Sequence, residues 1–240
     1  MKKLAFLFLT NNNLKQPAIW NAFFSSHRGL FSIYNHPKEP NLITDDLLKH
    51  NIISNLIETK WGNISLVNAT INMLEEAYKD SENCKFILVS ESCIPIQTFE
   101  ETYKFLTRND NTYIASYFGN NNRYDKLIDK SFISKKNFKK QNQWMVLNRN
   151  TAKLIINTRF HTDNFKYVFA PDEHYFTNVI LKYNYPFVNR KLTYADWKDC
   201  TKHPKTFAKV DNYILEKLRK EGYFFLRKVD ENTNIQKIEK

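Results

Sequence analysis

At 240 residues, with 42% hydrophobic and 25% charged residues, the chain is long enough to bury one substantial core, and its composition is neither disordered nor fibrous. Only four glycines and seven prolines exclude a low-complexity chain, and three scattered cysteines (Cys84, Cys93, Cys200) without C-x-x-C spacing exclude a disulfide framework and give no metal motif. The net charge of +11 calls for a polyanion, a phosphorylated ligand or an acidic surface among the partners, or a solvated basic exterior.

Met1-Lys2-Lys3 followed by Leu4 to Leu9 imitates a signal peptide, but the apolar run is short and passes into Thr10-Asn11-Asn12-Asn13 without a cleavage site. It reads instead as a central strand over about 3–10, apolar on both faces. No stretch reaches the roughly 18 apolar residues of a membrane-spanning helix, so the expectation is a soluble, cytoplasmic protein. Ile19, Trp20, Phe23 and Phe24 place a helix within 17–26, and a second strand at 30–35 ends at His36-Pro37-Lys38, completing a βαβ unit.

An amphipathic helix follows over 64–80, entered through Trp61-Gly62, and leads to a continuous apolar strand at 85–90. That strand ends in Glu91-Ser92-Cys93. In open α/β sheets, ligands bind outside the carboxyl ends of the strands, which makes this turn and His36 candidate pocket positions. A helix at 98–106 and a strand at 112–117 precede a long polar segment, 119–142, with Arg123-Tyr124 and lysines 135, 136, 139 and 140. Loops of that length in a compact domain are usually lids or binding lips, although the lysines also fit a solvated face. A strand at 143–147, a helix at 151–156, a helix at 175–183, an acid-started helix at 211–220 with Gly222 at its C-terminal end, and a strand at 223–227 complete the reading. Residues 231–240 read as a frayed tail behind a single domain, 1–230.

Pro171-Asp172-Glu173-His174-Tyr175-Phe176 puts two carboxylates at the entry of a helix, where acidic side chains ordinarily cap free N–H groups. By residue type alone, Trp20, Trp61 and Trp144 read as core and Cys93 as a small buried residue.

Trp61-Gly62, Ser90-Glu91-Ser92-Cys93-Ile94-Pro95-Ile96, Gln143-Trp144-x-x-Leu147-Asn148-Arg149, the 171–176 hexapeptide, Tyr194-x-Asp196-Trp197, His203-Pro204-x-Thr206-Phe207 and Arg227-Lys228 occur in this order. In this the chain resembles the core-2/I-branching enzyme family, glycosyltransferase family 14, and its plant-like branch in particular. The resemblance runs from the first strand to about residue 230. It implies a GT-A fold, an α/β domain with a central, mostly parallel mixed sheet flanked by helices. It also implies inverting transfer of a sugar, N-acetylglucosamine by the family's habit and xylose or glucuronic acid in other branches, from a UDP-sugar to a glycan hydroxyl. No metal or other cofactor, no nucleic acid and no membrane span is implied.

Residue by residue, the resemblance makes Glu173 the catalytic base, leaves Asp172 as the cap, and makes His174, where the family tolerates other residues, a packed histidine rather than a base. It gives Lys205 and Lys228, with Arg227 beside them, to the donor diphosphate, and places Trp197 against the acceptor, with Arg123 and Tyr124 on the acceptor loop. His36 stands where the family has an aspartate near the nucleoside, and Glu91-Ser92 replaces the Asp-x-Asp turn of metal-using relatives. The chemistry is consistent with this set. Inversion needs one base, and without a metal, fixed cations must meet the charge that grows on the leaving diphosphate. A basic, aromatic-rich chain also fits single-stranded nucleic acid, and a silent glycan-binding relative would keep Trp197 without turnover.

Overall fold

In the computed structural model, which describes residues 1–119, 121–198 and 203–236, the N-terminal apolar run forms β1 (Lys3–Thr10), whose residues from Leu4 onward are all buried. Pro17 starts α1 (Pro17–Phe24), where its missing N–H costs nothing, and β2 (Phe31–Pro37) pairs with β1 in parallel. A short α2 (Asp46–Lys49), capped by the Asp45 side chain, precedes α3 (Ser65–Tyr78) and β3 (Asn83–Val89). β4 (Ile94–Pro95) leads to α4 (Phe99–Thr107), which opens on a capping box between Thr98 and Glu101. β5 (Ser116–Tyr117), β6 (Lys140–Gln141), β7 (Val146–Asn148), α5 (Arg149–Asn157) and α6 (Tyr175–Lys182) follow. The chain closes with β8 (Thr193–Ala195), β9 (Lys209–Val210), α7 (Asn212–Lys220), β10 (Phe225–Arg227) and β11 (Asn234–Ile235).

The central sheet has the order β2-β1-β3-β7, parallel except for β7, with helices on both faces. Register shows how the faces are divided. Phe6 points to α1, where it meets Trp20, Phe23 and Phe24 edge-on at 6.1, 5.9 and 5.0 Å. Its neighbour Ala5 lies beside Phe86, which stacks on Tyr78 of α3, so α3 covers the opposite face. This aromatic packing removes large apolar areas from water and ties the sheet to its cover. A second sheet, β4-β10-β8, carries its own smaller core of Ile94, Ile96, Val210, Leu215, Leu218 and Leu226. The result is the mixed α/β domain that the resemblance implies.

Several boundaries differ from the sequence expectation for tertiary reasons. The strand expected over 112–117 is regular only at β5, because Tyr113 bridges two partners, Val146 and Val188, instead of extending one ladder. Asn148 ends β7 and caps α5 by accepting from Thr151 N, so that helix begins at Arg149, two residues early. The polar 119–142 segment is not a bare lip. It buries Tyr124, Leu127, Phe132, Ile133 and Phe138, and ends in β6, which pairs with β5. The expected frayed tail contributes β11, parallel to β9, before residues 237–240, which lie outside the described residues, as does Cys200. Gly222 follows α7 at φ +83°, a left-handed position that glycine occupies without a side-chain penalty.

Candidate active site

Two clefts meet at one carboxylate. The smaller, about 380 Å³, lies over the carboxyl ends of β1 and β3, between Thr10-Asn11, Ser90-Glu91-Ser92, the Trp61-Gly62 entrance of α3, and Arg227-Lys228 at the end of β10. The larger, about 610 Å³, is walled by β5, the 140–144 strand and turn, Asn189 to Lys191, and Ala195. Glu173, Trp197, Arg227, Gln143 and Trp144 line both.

Glu173 is fixed by the turn in front of α6. Ala170 holds a left-handed backbone at φ 48°, its amide donating to Gly62 O at 3.0 Å, and Pro171 starts a 3-10 turn closed by Glu173 N to Ala170 O at 3.0 Å. A non-glycine residue in that region carries backbone strain, which the surrounding packing holds in place. Gly62 itself has φ +70°, and a Cβ there would stand 3.1 Å from the Phe169 ring, so glycine admits the ring that backs the turn.

The Glu173 side chain is about a quarter exposed, at 27%, and its Oε2 receives both Arg123 Nη1 and Lys140 Nζ at 3.0 Å. Among the described residues, Oε1 makes no hydrogen bond. Arg123 also reaches His174 Nε2 at 3.2 Å and lies over the Phe169 ring at 5.1 Å. His174 is buried, stacks on Phe138 at 4.9 Å, and donates from Nδ1 to Lys139 O at 2.9 Å. Burial lowers its pKa to about 4, which leaves the ring neutral and able to accept from Arg123. The packed-histidine expectation for His174 is therefore met in its geometry.

The other expected site residues separate into three groups. Trp197 (45% exposed), Arg227, Lys228, Glu91 and Ser92 line the clefts. Arg227 is part-buried over the Trp144 ring at 4.2 Å, with its Nε sealed from water and unpartnered, and among the described residues no carboxylate forms an ion pair with it. Burial works against its charge and lowers its pKa. His36, by contrast, is fully buried behind the cleft: Nε2 accepts from Ile57 N at 3.2 Å, Nδ1 has no partner, and burial lowers its pKa. Tyr124 is buried against Phe138 with its hydroxyl donating to Lys130 O at 3.0 Å, and Lys205 is exposed outside either lining, its amide donating to Asp196 O at 2.8 Å.

Two sequence expectations are corrected. Trp61 is not core: it is 68% exposed on the rim of the smaller cleft, edge-on to Phe169 at 5.5 Å and to His203 at 6.1 Å. Asp172 is not a cap: α6 starts at Tyr175, its N-cap is His174 without a side-chain capping bond, and the intervening 3-10 turn leaves Asp172 buried at 7% exposure. In sequence Lys140 is one lysine of a basic loop; the β5–β6 pairing that brings it to Glu173 leaves no local signal there.

Burial, with Glu173 alongside, raises the Asp172 carboxyl from its ordinary 3.8 to about 7. The folded state thus binds this proton more tightly than the unfolded chain, so the contribution to stability is favourable at low pH and is lost as pH rises through 7. Ionising the group costs the fold on the order of 4 kcal/mol at about pH 8. Asp172→Asn is expected to exceed the parent in stability at about pH 8 by a few kcal/mol and to match it at about pH 4. Urea denaturation at the two pH values checks this; equal midpoints at the higher pH would contradict it.

The mixed, mostly parallel sheet flanked by helices, with a cleft over its strand ends, is consistent with a GT-A-like fold. The family profile described as "Core-2/I-Branching enzyme" matches residues 4–220, and the chain belongs to that family of glycosyltransferases. A curated relative, "Glycosyltransferase BC10" of Oryza sativa subsp. japonica, is 30% identical over 161 residues, which is 64% of this chain and 40% of the rice protein. The chain thus matches less than half the length of that relative. The solved structure titled "Crystal Structure of A197 from STIV" aligns over 62% of this chain and 67% of that one at 7% identity and a TM-score of 0.30, too low to carry an argument. Among the described residues no helix is long and apolar enough to cross a membrane.

Proposed function

We propose that the chain is an inverting, metal-independent glycosyltransferase that moves a sugar from a UDP-sugar to a glycan hydroxyl. N-acetylglucosamine is the proposed donor sugar, by family resemblance. The observation that carries the reading is the place of Glu173, on the wall common to two clefts, so that one carboxylate faces both a donor and an acceptor. The donor occupies the smaller cleft, with its diphosphate at Arg227 and Lys228, and the acceptor enters the larger cleft against Trp197, whose exposed ring suits the C–H face of a sugar. Glu173 Oε1 takes the acceptor proton as the hydroxyl oxygen attacks the anomeric carbon and the bond to the diphosphate breaks on the opposite side. Arg123 and Lys140 hold Oε2 and so orient the base. Arg227 and Lys228 meet the negative charge of departing UDP with fixed cations, the role a metal fills elsewhere.

The test is a panel of UDP-N-acetylglucosamine, UDP-xylose and UDP-glucuronic acid, scored for UDP release and for transfer to glycan acceptors with and without EDTA. Turnover of one donor, undiminished by EDTA, is expected. Loss of all activity in EDTA would overturn the metal-free mechanism, and no turnover of any nucleotide sugar would overturn the transferase reading.

A further inference from the structure

Asp172 is a buried titratable group on the cleft wall that the proposed chemistry leaves unused. Its residue is 7% exposed, and Oδ1 is sealed from solvent without a hydrogen-bond partner among the described residues. Buried polar groups are nearly always paired, and the carboxyl's other oxygen, Oδ2, is not sealed and makes no hydrogen bond among the described residues, so it is the atom that a ligand in the smaller cleft can reach. The fold gives the group little support: it caps no helix, and no cation forms an ion pair with it among the described residues. The charged groups acting on it are Glu173 on the same turn, Arg123 of the 119–142 segment and Lys140 of β6, and the last two are committed to Glu173.

Position along the cleft narrows the ligand. Asp172 lines the smaller cleft only, whereas its neighbour Glu173 lines both. If the smaller cleft takes the donor, its diphosphate lies at Arg227 and Lys228, and its anomeric carbon lies within reach of the hydroxyl held on Glu173. The sugar ring is the part of the donor that lies between those points, and Asp172, next to Glu173 in the chain, lines the same cleft.

We infer that the Asp172 carboxyl hydrogen-bonds a hydroxyl of the donor sugar ring and is a specificity-determining residue of the donor site. The inference rests on the transferase reading above. A carboxyl that titrates near neutrality both donates and accepts, which suits a hydroxyl partner.

Calorimetric affinities for UDP and for the three UDP-sugars, measured on the parent, Asp172→Asn and Asp172→Ala, test it. For the parent's preferred donor, Asp172→Ala is expected to weaken binding about tenfold or more while UDP affinity stays within about twofold, with Asp172→Asn intermediate because its amide keeps part of the bonding. Unchanged UDP-sugar affinity in both variants would overturn the inference. A parallel fall for UDP and UDP-sugar would also overturn it, by marking a structural role. Failure of the parent to bind UDP at all would instead remove the donor-site reading beneath it, an outcome the parent protein alone reveals.

Discussion

Glu173→Gln is expected to lower sugar transfer by about a thousandfold or more while leaving UDP affinity within about twofold. Glutamine keeps the shape of the side chain and a carbonyl oxygen for Arg123, so the turn behind it, held by Ala170, Gly62 and Pro171 through backbone bonds, has no reason to move. What is lost is the capacity to take a proton. A positioned general base contributes roughly a hundred- to ten-thousandfold, and among the described residues no second carboxylate lines both clefts to replace it. The contrast between kcat and UDP binding separates chemistry from folding: near-normal turnover would remove the assignment, and a parallel loss of UDP binding would show that the site had collapsed.

Arg227→Met is expected to weaken UDP binding by about a hundredfold and to lower kcat as well, because the charge on departing UDP is greater in the transition state than in the bound donor. The stability of the free protein should move the other way or not at all. Arg227 is a part-buried cation without a carboxylate ion pair among the described residues, and methionine keeps the packing on Trp144 without the cost of desolvating a charge. Calorimetry with UDP and a denaturation curve on the same preparation check both halves. Unchanged UDP affinity would refute the diphosphate role, and a marked loss of stability would show Arg227 to be structural.

The parts of this molecule that sequence exposes are those whose cause is local. β1 begins and ends at the expected residues because a chain apolar on both faces has only a sheet centre to occupy. α4 and α7 begin where Thr98 and Asp211 cap them, so their starts are written in one or two side chains. The missed features depend on distant partners. Lys140 reaches Glu173 only because β6 pairs with β5, and Trp61 stays on the rim because Phe169 and Gly62 seat it there, although its composition alone argues for burial. Asp172 and Glu173 look equivalent in sequence, and the 3-10 turn separates them, sending one inward and placing the other on the wall between two clefts.

The configuration of the new glycosidic bond tests the single-carboxylate arrangement most directly. With a UDP-sugar in which the anomeric linkage is α, proton NMR of the isolated product should show a β linkage, because one base and one in-line displacement invert the centre. An α-linked product would contradict it, since retention requires a second displacement that this arrangement does not provide.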